Sequence, residues 1–115
     1  MQNEEFLIQR ALIQYIELQY PKVLFCASAG GMYTTKTSAI RMKQAGYRRG
    51  FPDLFIYHPN RTHMGLAIEL KKEQGGRVSK EQLQWIQDLR ARRYQAYICH
   101  GLDSAISVLD EYMAS

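Results

Sequence analysis

Phe51–Pro52–Asp53–Leu54–Phe55–Ile56–Tyr57 and Gly65–Leu66–Ala67–Ile68–Glu69–Leu70–Lys71 decide the fold of this chain. Both are apolar runs, and the polar loop His58 to His63 lies between them, so they predict two strands of a hairpin, Leu54 to Tyr57 and Gly65 to Lys71. Side chains alternate faces along a strand. Glu69 and Lys71 therefore share one face, and Ile68 and Leu70 point oppositely into a core. With Asp53 at the mouth of the neighbouring strand, its carboxylate sits beside that of Glu69. Two carboxylates held close repel each other, which raises a pKa. A divalent cation relieves that repulsion, and hard oxygen ligands favour Mg²⁺, which accepts few protein ligands and keeps its waters. The main-chain carbonyl of Leu70 is a natural third ligand. Such a centre suits phosphodiester hydrolysis, with Lys71 steadying charge in the transition state. Taken alone, a Pro-Asp and a Glu-x-Lys also fit strand-edge charges forming ion pairs.

Outward from the hairpin, helices and strands alternate. Apolar residues recur at helical spacing from Glu4 to Tyr20, with Asn3 as N-cap, Glu4 and Glu5 suiting the positive end, and Pro21 as the stop. Val23 to Ser28 reads as a buried strand broken by Gly30–Gly31, and Thr37 to Ala45 as a short basic helix closed by Gly46. Ser79-x-x-Gln82 is a capping box opening a helix whose buried stripe is Leu83, Ile86 and Leu89. Ala96 to Cys99 is a last core strand, and Asp103 to Tyr112 a closing amphipathic helix. The order predicts one α/β domain over residues 1–115, a mixed β-sheet flanked by helices.

The composition narrows the function classes. Hydrophobic residues make up 46% of the 115, enough for one core and too many for a disordered chain. Fifteen Lys and Arg against eleven Asp and Glu give a net charge of +4, compatible with a polyanionic partner. Cys26 and Cys99 each sit in an apolar run and read as buried free thiols in adjacent strands rather than a disulfide framework. The acidic N-terminus is no signal peptide, and no apolar run reaches the roughly 18 residues of a membrane helix. The expected location is the cytoplasm, or a host's cytoplasm for a phage protein.

Gly46, Gly50, Pro52–Asp53–Leu54, Ile68–Glu69–Leu70–Lys71–Lys72, Gly76–Arg77-x-Ser79-x-Glu81–Gln82-x-x-Trp85 and Gly101 together resemble the VRR-NUC (virus-type replication-repair nuclease) family. The resemblance spans nearly the whole chain. It implies the PD-(D/E)xK restriction-endonuclease-like fold, dependence on Mg²⁺ with Mn²⁺ as a substitute, action on branched or structured DNA such as four-way junctions, and a homodimer. It matches Asp53, Glu69 and Lys71 to the family's catalytic positions, and Gln82 to its site glutamine. For an early-helix glutamate near the metal, Glu5 is the better match and Glu4 the alternative. Family members often carry Asn near the double glycine, where this chain has Ser28–Ala29–Gly30–Gly31, so a role for that loop does not carry over.

Other residues have competing readings. Lys36, Arg41, Lys43, Arg48 and Arg49 are either a solvated face or phosphate contacts that position DNA. Arg77 and Lys80 stand where a helix N-terminus already favours phosphate. Trp85 is a core anchor or a stacking platform. His58, Asn60 and His63 lack the context of a His-Asn-His nuclease. A C₂ dimer would supply two cuts related by symmetry, and Met32, Tyr33, Tyr47, Phe51 and Tyr57 offer apolar surface for it. The expected activity is a metal-dependent DNA endonuclease selective for structure. A non-catalytic DNA-binding module and a sequence-specific restriction-type enzyme are the rivals.

Overall fold

The computed structural model describes residues 3–28 and 35–115. The expected Gly30–Gly31 break, Met32 and Tyr33 lie outside them. Helix α1 spans Glu4–Gln19 and opens where the Asn3 side chain accepts the Phe6 N–H at 2.7 Å. It ends at Tyr20, whose N–H closes on the Ile16 carbonyl just before Pro21. Strand β1 (Phe25–Ala27), helix α2 (Lys36–Gln44), strands β2 (Leu54–Ile56) and β3 (Leu66–Lys71), helix α3 (Lys80–Arg90), strand β4 (Gln95–His100) and helix α4 (Leu102–Ala114) follow.

The four strands lie in the order β1-β2-β3-β4, antiparallel across the first two pairings and parallel between β3 and β4. This is the mixed sheet that the alternation of elements predicts, and α3 makes the crossover that the parallel pair needs. The register sets Leu54 opposite Ile68 and Phe55 opposite Ala67. Leu54, Ile56, Leu66, Ile68 and Leu70 bury one face against Ile8, Leu12 and Ile16 of α1 and Leu109 and Tyr112 of α4. The other face carries Phe55, Ala67 and Ala96 under Ile86 and Leu89 of α3. Tyr15 and Tyr20 both donate to the Asp110 carboxylate, at 2.6–2.9 Å, tying α1 to α4.

Two expectations are corrected. Cys26 and Cys99 are free, but β1 and β4 are opposite edges of the sheet, and only Cys99 is buried. Cys26 pairs with Phe55, but it lies on the edge strand β1, which α3 does not reach, and so it is exposed. Leu83 is 46% exposed, because the inward line of α3 runs through Gln82, Ile86 and Leu89 instead. Among the described residues, helix α2 buries no side chain and packs on no other helix or strand. The loop from His58 to His63 is held by Asn60, which accepts from Thr62 and His63 and donates to the Tyr112 carbonyl. The His58 carbonyl accepts the Tyr112 hydroxyl at 2.6 Å. These are structural bonds.

Candidate active site

The first turns of α1 and α3 converge from opposite faces on one end of the sheet, where β2 begins and β3 ends. Asp53 stands one residue before β2. Its carbonyl accepts the Ser28 N–H and its carboxylate accepts the Leu70 N–H at 2.8 Å, which fixes the side chain against the end of β3. Glu69 points to the same place, close enough to Asp53 that each carboxyl group acts on the other. Glu69 is 3% exposed and Lys71 6%. Burial raises Asp53 above the ordinary carboxylate range, with the Leu70 N–H opposing. Burial and then the Asp53 charge push Glu69 up to about 8. The Lys71 ammonium, 3.7 Å from Glu69, lowers it. At that distance Lys71 makes no direct hydrogen bond, so burial and Asp53 win.

The first turn of α3 holds this pair in place. Ser79 accepts the Gln82 N–H at 3.1 Å, and the Gln82 Oε1 accepts the Ser79 N–H at 3.0 Å. The other end of the same amide, Nε2, donates to Glu69 at 2.9 Å. The capping box and the site contact are therefore two ends of one side chain, and the cap sets the orientation of the amide. The turn before Asp53 lies directly on this helix start. Gly50 has φ +89°, and a Cβ there would come within 2.6 Å of the Glu81 backbone, so only glycine fits. Trp85 locks the turn by donating Nε1 to the Arg49 carbonyl at 3.1 Å and meeting Phe51 edge to face. Trp85 is thus an anchor of the site.

Two clefts open on either side of the carboxylates. The first, about 550 Å³, lies over the α3 N-terminus and is lined by Arg49, Lys71, Arg77, Ser79, Lys80 and Gln82 among others. The second, about 450 Å³, lies between α1 and the Ala27–Ser28 edge and reaches Asp53; Glu5, Phe6, Gln9, Arg10 and Ile13 form its α1 wall.

A hard divalent cation fits the donors at this centre. Among the described residues no group of three or more His, Cys, Asp and Glu side chains is arranged for a metal; the side-chain oxygens gathered at this end of the sheet are those of Asp53 and Glu69. The Lys71 carbonyl accepts the Gly101 N–H on the β4 side. The Leu70 N–H points the other way, to Asp53, and its carbonyl leaves the strand on that same edge. Two carboxyl groups held close, with a main-chain carbonyl on the same edge, form an oxygen donor set whose repulsion a hard cation can relieve.

The VRR-NUC domain model matches residues 4–103. The chain belongs to this family. A solved structure described as a VRR-NUC domain protein is similar over 99% of this chain and 91% of its own, at 25% identity and a TM-score of 0.84. Among curated proteins no match is found. VRR-NUC is a nuclease domain family, which agrees with the basic balance of the chain. No helix among the described residues is long and apolar enough to cross a membrane.

In this VRR-NUC chain, Asp53, Glu69, Lys71 and Gln82 come together as a single cluster. Glu5 faces it, since its charge acts on both Asp53 and Glu69, whereas Glu4 accepts the Glu73 N–H. Arg49, Arg77 and Lys80 line the first cleft. Lys36, Arg41 and Lys43 do not; they ride on α2. Arg48 turns back to donate to the Lys43 and Tyr47 carbonyls at the end of α2. Sequence reasoning did not find the second cleft. Its signal was helical spacing: Gln9 and Ile13 follow Glu5 by one and two turns.

Proposed function

We propose that this chain is a Mg²⁺-dependent DNA endonuclease, with Mn²⁺ able to substitute, that selects branched DNA such as four-way junctions. The observation that carries the reading is the buried Asp53–Glu69 pair beside Lys71, at the edge of a cleft rich in cations. Asp53, Glu69 and the Leu70 carbonyl would hold the cation. When bound, such a cation would supply Lewis acidity to the scissile phosphate and lower the pKa of a bound water. Lys71, buried and pointing into the cleft, places positive charge where the pentavalent phosphorus centre gathers negative charge. Gln82 keeps Glu69 from turning away. Arg49, Arg77, Lys80 and the positive end of α3 bind flanking phosphates, and the α2 cations Lys36, Arg41 and Lys43 extend the electrostatic footprint. Glu5 faces the centre from α1 and supports it through water. The protein works as a homodimer in the cytoplasm, which gives a four-way junction two symmetric cuts.

Labelled four-way junctions, flaps and linear duplexes, each incubated with Mg²⁺, Mn²⁺ or EDTA, test this reading. Cleavage of branched over linear DNA, abolished by EDTA, is expected. Binding with no cleavage under any cation would replace it with a non-catalytic DNA-binding module. Cutting of linear duplex at one fixed sequence would replace structure selection with a restriction-type activity.

A further inference from the structure

The two clefts differ in chemistry: the first reaches the site at Lys71 and Gln82, the second at Asp53. In the first, Arg49, Lys71, Arg77 and Lys80 face one carboxylate, Glu81. In the second, two carboxylates, Glu5 and Asp53, face one guanidinium, Arg10, and the rest of the wall includes Phe6, Ile13 and Gln9. Phosphates therefore belong in the first cleft. The second suits an uncharged, flat group. Phe6 is 48% exposed, although it belongs to a helix whose other face is core. The Arg10 guanidinium carbon lies 6.0 Å from the centre of its ring. Aromatic rings and Arg planes are the surfaces on which unpaired bases stack, and an amide such as Gln9 can both donate to and accept from a base edge. At about 450 Å³ the cleft falls in the roughly 300–1,000 Å³ range of small-molecule pockets.

We propose that the cleft between α1 and Asp53 is a nucleoside subsite, which takes one unpaired nucleotide of the substrate strand beside the bond to be cut. This rests on the nuclease reading above and gives it a source of structure selection. A base inside a duplex is stacked on both sides and paired along its edge, so it cannot enter a slot walled by a helix. Extracting it costs a few kcal/mol, and least where it is already single-stranded. A strand whose phosphates lie along the first cleft and whose next base sits in the second is bent across the carboxylates. Fully paired DNA resists that path, and a branch point supplies it.

The test is a binding titration of the full chain with a branched duplex carrying 2-aminopurine as the unpaired nucleotide at the fork, with Ca²⁺ in place of Mg²⁺. The wild type should change the 2-aminopurine emission saturably. Phe6→Ala should abolish that change and weaken branched-DNA binding roughly tenfold, the effect of losing one base stack. Its affinity for fully paired duplex should stay the same, and Phe6→Tyr should restore both signals. Emission that ignores the protein, or a Phe6→Ala defect equal on branched and paired DNA, overturns the subsite. Cleavage with Mg²⁺ but no emission response removes the subsite and leaves the nuclease reading. An emission response without cleavage supports the subsite and removes the nuclease reading.

Discussion

On one face of β3, Leu66, Ile68 and Leu70 lie against α1 and α4; on the other, Glu69 and Lys71 lie under the first turn of α3. All six residues of the strand are buried. The first face gains from burial, since each apolar side chain removed from water contributes about 1.5–3 kcal/mol. The second loses by it, since a charge taken out of water is costly unless paired, and Glu69 responds by holding a proton. A strand that gives up stability on one face and keeps it on the other marks that face as the functional one.

The contrast breaks most sharply by substitution on the charged face. Asp53→Ala and Lys71→Ala should each lower kcat on branched DNA by about 10³-fold. Asp53→Ala should change the Tm in EDTA little, because the repulsion it removes offsets the lost bond to the Leu70 N–H. Ile68→Ala, one residue from Glu69, should do the opposite: it should lose about 2–5 kcal/mol of unfolding free energy and keep its kcat at temperatures where it stays folded. A Ile68→Ala protein as inactive as Lys71→Ala while fully folded would mean the two faces are not separable.

Gln82 joins the two regimes, and a pair of variants sharpens its part. Ser79→Ala removes only the cap and should cost about 1 kcal/mol of stability with little change in rate. Gln82→Ala should cost a similar amount and also lower activity by about 10–100-fold, through loss of the bond that orients Glu69. Equal rates for the two variants would reduce Gln82 to a cap.

Most of this was legible in the sequence. Strand alternation put Glu69 and Lys71 on one face and Ile68 and Leu70 on the other, and the capping box located Gln82 to the residue. What was not legible depended on how elements meet. Leu83 follows the same apolar spacing as Ile86, and only the seating of α3 over the end of the sheet turns it outward and Gln82 inward. Cys26 and Cys99 have similar neighbours, but strand order is a long-range property that local patterns do not carry. Arg48 and Arg49 are adjacent in a basic run. One bonds its own helix end and the other lines the cleft, because Gly50 brings the turn down onto α3.

The pH dependence is read in stability alone. Glu69 sits at about 8 in the folded chain against an ordinary 4.5, so its folded pKa is raised. Its contribution to stability is fully present below about 4.5 and is lost as the pH rises through about 8. In EDTA, the urea midpoint should therefore fall from pH 5 to pH 9. Glu69→Gln, which cannot ionise, should flatten that fall; an equally steep fall would place its origin elsewhere.

Calorimetric titration of Mn²⁺ into the wild type and into Asp53→Ala, without DNA, tests the central claim most directly. The account predicts saturable binding at one carboxylate centre per chain in the wild type and its loss in the variant. Equal Mn²⁺ binding by both proteins would contradict it.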